Sequence, residues 1–149
     1  RLLLVLDHIE DPQNLGSIIR TAECAGASAL IIPKDRACEI TPAVERISAG
    51  ATQYMRCVQV SNIANAVEKL KKNGFWIAAC DMDGVDYYKA DMSGDIALVI
   101  GNEGRGISEI VKRKCDFTIS VPMKGRINSL NAANAAAVII YEVVRQRSK

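Results

Sequence analysis

Two kinds of apolar pattern alternate along the chain. Short, continuously apolar segments are typical of buried strands, and apolar residues at helical spacing are typical of amphipathic helices. The first pattern predicts strands at residues 2–6, 29–32, 56–60, 75–80, 96–100 and 117–121. The second predicts helices at residues 15–25, 43–48, 63–72, 109–114 and 130–146. Because strands and helices alternate, we expect an α/β fold with a mostly parallel sheet and helices on both faces.

The segment between the fourth and fifth predicted strands is polar. Residues 81–95 contain glycine and several acidic residues, and we expect an irregular connection there. Residues 81–84 are faintly similar to a calcium loop, but Met92 stands where the final glutamate belongs, so a plain turn is favoured. No internal repeat or linker divides the 149 residues, which predicts one domain over residues 1–149.

Composition predicts a packed globular domain away from membranes. Hydrophobic residues make up 49% of the chain, which is enough for a proper core. The longest apolar runs are too short to span a bilayer, and no signal segment opens the chain. The first residue is Arg1 rather than methionine, and a predicted strand follows at once. We therefore expect this to be the fragment of a protein with a further domain upstream.

Charge and cysteine usage exclude some functions and leave others open. A formal net charge of +2 permits a nucleic-acid partner without indicating one, and the basic clusters at residues 69–72, 112–114 and 145–149 each fit a solvated helix face. The five cysteines form no C-x-x-C pair and the chain has one histidine, so no zinc site is predicted. An odd number of unpatterned cysteines indicates reduced thiols, mostly in the core, in a cytoplasmic protein. A Cys-His nucleophile pair stays open, without a motif to support it.

Three stretches carry polar residues where an apolar strand gives way to a loop or helix, the position at which open α/β sheets bind ligands. The first is N-L-G-S-I-I-R at residues 14–20. Arg20 lies off the apolar stripe of its helix and is expected to point outward. It is either a surface charge or a group that binds phosphate or stabilises negative charge. Asn14 is either a functional residue or a helix cap.

The second stretch is the glycine-rich loop G-N-E-G-R-G-I-S at residues 101–108. Its glycines permit positive φ angles and close approach of the backbone to a ligand. The order is neither G-x-G-x-x-G nor a phosphate-binding G-K-[ST] loop. Glu103 at its centre is either an exposed charge or a carboxylate that binds an arginine or a ligand. Ser108 is placed to cap the following helix.

The third stretch runs from V-P-M at residues 121–123 to S-L-N at residues 129–131. Between them, residues 124–126 form a basic turn. Ser129 stands where a helix cap belongs, and capping is its plainer role. Asn131 and Asn134 lie one helical turn apart among alanines, which permit very close packing of another backbone. That pattern suits either a tight loop crossing or a subunit interface.

Together and in this order, the three stretches resemble the signature of the SpoU (TrmH-like) family of SPOUT RNA methyltransferases. The family patterns N-[LV]-G-x-[IL]-x-R, G-x-E-x-x-G-[IL]-S and [IV]-P-M with S-L-N are all present. The resemblance covers nearly the whole chain, including Asp11-Pro12 before the first motif. Each motif alone is unspecific, whereas the three jointly are specific.

The resemblance implies a SPOUT fold whose C-terminal segment forms a trefoil knot. It also implies a homodimer that binds S-adenosylmethionine in the knotted loops, with the active site at the subunit interface and no metal. Carried over by position, the catalytic set is Asn14, Arg20, Glu103, Ser129 and Asn131. The residues that correspond to the cofactor site are Ile100, Gly101, Asn102, Val121, Met123 and Leu130.

The implied reaction is methylation of a ribose 2′-oxygen in RNA, most similar to the branch that modifies a guanosine of large-subunit ribosomal RNA. Transfer RNA is the alternative substrate. Members of that branch often carry an upstream RNA-binding domain. One departure concerns the third motif: where the family often reads S-L-N-V-S-V, Ala133 replaces a serine, so that serine is not a required catalytic group here.

The resemblance also suggests separate roles for the catalytic residues. Arg20, from the same or the partner subunit, would bind the adjacent phosphate or favour the alkoxide, and Glu103 would orient Arg20 or Asn14. Two other classes of function stay open: a non-catalytic RNA-binding or ribosome-assembly module with the same fold, and a doubly wound nucleotide-binding enzyme. The missing G-x-G-x-x-G makes the last the weakest.

Overall fold

The computed structural model describes residues 1–34 and 40–148 and has the predicted alternation of strands and helices. The strands are β1 Leu2–Asp7, β2 Ala29–Pro33, β3 Cys57–Val60, β4 Trp76–Asp86, β5 Ile96–Gly101 and β6 Phe117–Ser120. The α-helices are α1 Pro12–Cys24, α2 Pro42–Ile47, α3 Ile63–Lys72, α4 Glu109–Lys114 and α5 Ala132–Arg147. Short 3-10 helices lie at Ala51–Gln53 and Tyr87–Lys89.

The six strands described form one sheet in the order β3-β2-β1-β5-β4-β6. Every neighbouring pair is parallel, which confirms the predicted parallel sheet. β1 lies at the centre and pairs with β5 along its whole length, from Leu2 opposite Ile96 to Asp7 opposite Gly101. Since all strands run the same way, their carboxyl ends meet at one edge of the sheet.

Helices cover both faces of the sheet, as predicted. Leu2, Leu4 and Leu6 of β1 belong to one buried cluster, which also contains the apolar stripe of α1 and much of α5. Leu3 and Val5 belong to the opposite cluster, with residues of α3 and α4. The strand is continuously apolar because alternate side chains enter two separate cores.

β4 is longer than the sequence indicates. It continues to Asp86, so the expectation of an irregular connection throughout residues 81–95 is wrong for the first six of them. Its pairing with β5 ends at Cys80, and beyond a register shift Val85 and Asp86 pair with β6. The polar side chains are tolerated because this extension reaches past the end of β5, where β6 alone supplies backbone partners.

α1 begins three residues earlier than its apolar stripe suggests. Asp11 is the N-cap, and its carboxylate accepts a hydrogen bond of 2.7 Å from the backbone N–H of Gln13. Pro12 occupies the first turn, where a missing N–H costs nothing. Asn14 is therefore inside the helix, and the capping alternative for Asn14 is wrong.

α5 begins at Ala132, and its cap differs from the predicted one. The side-chain oxygen of Asn131 accepts hydrogen bonds from the backbone N–H groups of Ala133 at 2.9 Å and Asn134 at 3.2 Å. Ser129 lies outside the helix, so its predicted capping role is wrong. Asn131 is accordingly the N-cap rather than a residue on a helical face shared with Asn134.

The cysteines are less buried than predicted. Cys24 is exposed, and Cys57, Cys80 and Cys115 are partly buried rather than full members of the core. Cys38 lies outside the described residues. Among the helices described, none combines the length and the apolar character that crossing a bilayer requires.

Candidate active site

A cleft of about 790 Å³ opens at the carboxyl ends of β4, β5 and β6. The end of β5 and the glycine-rich loop form one wall, and the extension of β4 forms another. The segment between β6 and α5 and the alanine-rich first turns of α5 close it. The second and third sequence stretches, 13 positions apart at their nearest ends in the sequence, thus share one cavity.

Most of the predicted site residues lie at this cleft. All six predicted cofactor-binding residues line it, as do two of the predicted catalytic residues: Ile100, Gly101, Asn102, Val121, Met123, Leu130, Glu103 and Ser129. Asn14, Arg20 and Asn131 are not among the lining residues. The second and third motifs therefore line the cleft together, whereas the predicted site residues of the first motif do not line it.

The glycine-rich loop folds back on its own backbone. Asn102 and Gly106 form an antiparallel bridge with N···O distances of 3.0 and 2.9 Å. Gly106 has a φ of +71°, a conformation that other residues rarely adopt. A Cβ atom at Gly101 would lie 2.3 Å from the carbonyl carbon of Gly106. Gly101 is thus needed for closure of the loop itself, a reason that differs from the predicted close approach to a ligand.

The side chain of Asn102 organises this loop. Its Oδ1 accepts hydrogen bonds from the backbone N–H groups of Gly104 at 2.9 Å and Arg105 at 3.1 Å. Its Nδ2 donates to the backbone oxygen of His8 at 2.8 Å and to the carboxylate of Glu10 at 2.7 Å. Because both donors and the acceptor are used within the protein, Asn102 positions the wall of the cleft.

Glu103 connects the loop to the start of α1. Its carboxylate accepts hydrogen bonds from the backbone N–H groups of Asp11 at 3.0 Å and Glu10 at 3.4 Å. Unpaired N–H groups at a helix start favour a negative charge nearby. Within residues 1–34 and 40–148, no hydrogen bond or ion pair joins Glu103 to Arg20 or Asn14. The expected orientation of either residue by Glu103 is therefore wrong for a single chain.

Asn14 and Asn131 join the first motif to the third. Asn14 is only 5% exposed, and its Oδ1 accepts a hydrogen bond of 3.0 Å from Nδ2 of Asn131. This contact spans 117 positions in the sequence and links α1 to the cap of α5. The contact therefore fixes the start of α5, whose first turns line the cleft, relative to α1.

Arg20 is exposed on α1, as predicted from its place off the apolar stripe. It lies six residues beyond Asn14, or about 9 Å along the helix axis. Among the described residues it forms no hydrogen bond or ion pair, and it does not line the cleft of its own chain. Its guanidinium is therefore available to a group outside this chain.

The extension of β4 adds cleft residues that sequence reasoning missed. Asp81, Met82, Gly84 and Asp86 all line the cavity. The sequence pattern predicts a connection at these residues, although polar residues directly after the apolar run of β4 obey the same strand-end rule as the other two motifs. That rule was the signal that could have identified them.

An ion-pair cluster anchors this wall to α4. Lys112 donates to Asp81 at 3.2 Å and to Asp83 at 2.7 Å. The hydrogen bond from Lys112 lowers the pKa of Asp83, and the same bond raises the pKa of Lys112. The extension is thus held from the α4 side, although its residues are polar.

The thiol of Cys80, which lines the cleft, and that of Cys115, at the end of α4, are poor nucleophiles. Burial raises the pKa of Cys80, and burial together with Asp116 raises the pKa of Cys115 to about 11. The single histidine, His8, places Nδ1 2.7 Å from a carboxylate oxygen of Asp7. A thiol needs its anionic form to attack, so the Cys-His nucleophile pair that the sequence left open gains no support.

The parallel sheet and its carboxyl-edge cleft define an α/β protein with a cavity large enough for a nucleotide-sized ligand. A sequence model of the SpoU rRNA Methylase family matches residues 1–141, so the chain belongs to that family. The parallel α/β architecture and the family predicted from the three motifs are thereby confirmed.

Relatives and solved structures agree with this assignment. A Staphylococcus saprophyticus protein named for the TrmH family of tRNA/rRNA methyltransferases is 47% identical over 147 residues, 98% of this chain and 59% of that protein. The SpoU methyltransferase AviRb from Streptomyces viridochromogenes, in complex with the cofactor AdoMet, superposes with a TM-score of 0.89 at 37% identity, covering 98% of this chain and 60% of AviRb. The A. aeolicus TrmH/SpoU tRNA modifying enzyme has a TM-score of 0.90 at 28% identity, covering 99% and 75%. The chain spans about three fifths of the curated relatives it matches.

Proposed function

We propose that this chain is the catalytic part of an RNA methyltransferase that uses S-adenosylmethionine to methylate a ribose 2′-hydroxyl. The observation that carries the proposal is the shared cleft of the glycine-rich loop and the segment before α5. The AdoMet complex of AviRb supports the cofactor, because AviRb shares the fold over 98% of this chain.

The residues present fit this cofactor. The cleft volume of about 790 Å³ lies within the range of roughly 300–1,000 Å³ common for small-molecule sites. Apolar residues such as Ile100 and Leu130 suit the adenine ring, and the carboxylates of Asp81 and Asp86 suit a positively charged ligand. Bound there, S-adenosylmethionine supplies a methyl group on a cationic sulfur. The predicted contacts of Gly101 and Val121, mainly through backbone atoms, are part of this proposal.

The chain's own residues would position and activate the ribose. Arg20 would bind the phosphate next to the target ribose and stabilise negative charge on the 2′-oxygen, because a guanidinium keeps its protons near neutral pH. Ser129, at the cleft, would orient the ribose. Asn14 and Asn131 would hold the start of α5, through their mutual hydrogen bond, where alignment requires it.

We further propose a homodimer in which Arg20 of one chain completes the cleft of the other. Arg20 is exposed and lies outside its own chain's cleft, although its motif is one of the three that define the family signature. A twofold-symmetric dimer would then contain two equivalent composite sites. A trefoil knot in the C-terminal segment, an upstream RNA-binding domain and a cytoplasmic location complete the proposal.

Large-subunit ribosomal RNA, at a guanosine, is the proposed substrate. The matching family is described as an rRNA methylase family, whereas the name of the S. saprophyticus relative includes both tRNA and rRNA. Transfer RNA is therefore the second candidate. The two differ in the RNA presented to the cleft and share one reaction.

The test combines cofactor binding with product analysis. Calorimetry with S-adenosylmethionine should show binding to the purified chain. Unmodified ribosomal RNA and tRNA transcripts are then incubated with isotope-labelled S-adenosylmethionine and digested to nucleosides for mass spectrometry. We expect label in 2′-O-methylguanosine from ribosomal RNA, and loss of one ribose methyl group from RNA of cells lacking the full-length protein. Label on a base would refute the reaction, and absence of cofactor binding would favour a non-catalytic RNA-binding module.

A further inference from the structure

The segment between β6 and α5 leaves the cleft and returns to it. Residues 121–123 and 128–130 line the cavity, whereas residues 124–127 do not and are exposed. We name residues 124–127 the tip. The tip carries Lys124, Arg126 and Ile127, and it stands at the rim of the cleft because both of its ends are part of the lining.

The cations of the tip have no acidic partner in the described part of the chain. Neither Lys124 nor Arg126 forms a hydrogen bond or ion pair with any residue in the two described ranges. The basic cluster on α4 differs in this respect. Lys112 pairs with Asp83 at 2.7 Å, Arg113 with Glu109 at 3.0 Å, and Lys114 with Glu68. A cation that already has a carboxylate partner must lose it to bind a phosphate, whereas those of the tip lose only water.

The extension of β4, another wall of the cleft, carries more carboxylates than cations. The extension of β4 carries Asp81, Asp83 and Asp86, and the single positive charge of Lys112 pairs with the first two. Asp86 instead accepts a hydrogen bond from Tyr88 and lies 3.7 Å from Lys89. A polyanion is repelled from a wall with excess carboxylates and attracted to unpaired cations. An RNA strand is therefore favoured to approach the cleft over the tip.

The tip also offers an apolar contact. Ile127 is 77% exposed, among the most exposed of the large hydrophobic residues described. An isoleucine beside two cations matches a strand that presents both phosphates and unstacked bases, as single-stranded RNA does. An acidic protein segment would satisfy the cations, but it would not present unstacked bases to Ile127 as single-stranded RNA does.

We propose that the tip is an RNA-binding element: Lys124 and Arg126 bind backbone phosphates next to the target ribose, and Ile127 packs against a neighbouring base. The inference rests on the proposed function, which places RNA at this cleft. The tip would bind phosphate at the rim of its own chain's cleft. This site is separate from the phosphate site proposed for Arg20.

The test compares two double substitutions that remove the same charge. Lys124→Gln with Arg126→Gln alters the tip. Lys69→Gln with Lys72→Gln is the control, because both lysines are exposed, without an ion pair among the described residues, and close to the end of α3. That end joins β4 where the strand begins, at the opposite edge of the sheet from the cleft.

Binding of a short fluorescein-labelled single-stranded RNA of mixed sequence is measured by anisotropy over a series of KCl concentrations. We expect the tip variant to bind about tenfold more weakly, with the slope of log K against log salt reduced by about 1.4 for two lost phosphate contacts. The control should keep the slope within about 0.3 of the original, because its lysines lie outside the RNA path. Ile127→Ala should weaken binding without changing the slope.

Calorimetry with S-adenosylmethionine and ultracentrifugation on the same samples separate the possible failures. Unchanged cofactor and RNA binding in the tip variant would overturn the tip proposal and leave the proposed function intact. Loss of the dimer instead of RNA binding would make the tip a subunit contact and would also overturn it. If the original chain binds RNA through the tip but does not bind S-adenosylmethionine, the tip proposal stands and the proposed function fails.

Discussion

The side chain of Asn131 makes two kinds of structural hydrogen bond. Its Oδ1 caps α5, and its Nδ2 donates to the buried Oδ1 of Asn14. A serine or aspartate could cap the helix equally well, but neither has an amide nitrogen to donate while its oxygen accepts. The position therefore requires asparagine for structural reasons that are separate from any role in catalysis.

Asn131→Ala should destabilise the fold. Loss of the cap costs about 0.5–2 kcal/mol, and the now unpaired oxygen of Asn14 adds about 1 kcal/mol or more. Urea denaturation followed by circular dichroism measures the free energy of unfolding. The control is Asn134→Ala, because Asn134 is exposed and its side chain caps nothing. Equal stability of the two variants would show that the cap and the Asn14 contact contribute nothing.

Cys115 should react with iodoacetamide far more slowly than Cys24 at pH 8. Burial raises the pKa of Cys115 to about 11, and only the thiolate reacts, so the neutral thiol dominates at that pH. We expect a rate at least about tenfold lower than for exposed Cys24, rising as the pH approaches 11. Peptide mass spectrometry measures both rates, and in urea the two should converge. A Cys115 rate that matches that of Cys24 in the folded chain would contradict the assignment.

At the level of elements, the glycine-rich loop and the segment before α5 depend on each other for the shape of the cleft. The loop is rigid because Asn102 bonds it to the backbone and to Glu10, and Glu103 bonds it to the start of α1. The other wall depends on a cap and an interhelical contact. Neither wall forms a cleft alone, so the site exists only when the elements are packed.

Gly101→Ala should impair cofactor binding more than stability. The added Cβ would lie 2.3 Å from the carbonyl carbon of Gly106, so the loop must open. We expect S-adenosylmethionine affinity to fall by at least about tenfold, since a displacement near 1 Å commonly has that effect on a shaped site. Calorimetry measures it. Gly125→Ala is the matched control, because a Cβ there meets nothing within 4 Å and should leave affinity unchanged.

At the scale of the whole molecule, Arg20 acts either at the cleft of its own chain or at the cleft of a second copy. It lies outside its own cleft and has no partner within the described part of the chain, which is why we propose that a second copy uses it. This arrangement would make the active site a property of the dimer. It can be tested without knowing the interface, because two different defects can be placed on two chains.

Activity is assayed at an S-adenosylmethionine concentration too low to load the Gly101→Ala cleft, so that Arg20→Ala and Gly101→Ala chains are each inactive alone. They should regain activity when unfolded and refolded together. In a mixed dimer the intact cleft of the Arg20→Ala chain receives Arg20 from the other chain. Random pairing gives mixed dimers half of the time, with one working site each, so we expect about a quarter of the original activity. Labelled methyl transfer to RNA is the readout. No recovery, with mixed dimers demonstrated by tagged chains, would show that Arg20 serves its own cleft.

Local pattern was sufficient for much of this fold. The runs at residues 2–6 and 96–100 predicted β1 and β5 because a strand buried on both faces needs apolar residues at every position. The apolar stripe around Ile18 and Ile19 likewise placed α1 and left Arg20 on its exposed side. The three motifs then indicated the family, and six residues placed by resemblance all line one cleft.

Tertiary structure alone decided what depends on distant partners. Residues 81–86 are too polar to predict as a strand, and the strand continues to Asp86 because Val85 and Asp86 pair with β6 beyond a register shift. Asn131 rather than Ser129 caps α5, a choice that goes with its contact to Asn14 across 117 positions. The basic residues at 112–114 and at 124–126 look alike in the sequence, but among the described residues carboxylates pair with Lys112 and none pairs with Lys124. The spacing of apolar residues along the chain determines which face of each helix or strand is buried. Which polar groups pair with each other is decided only when distant helices and strands pack together.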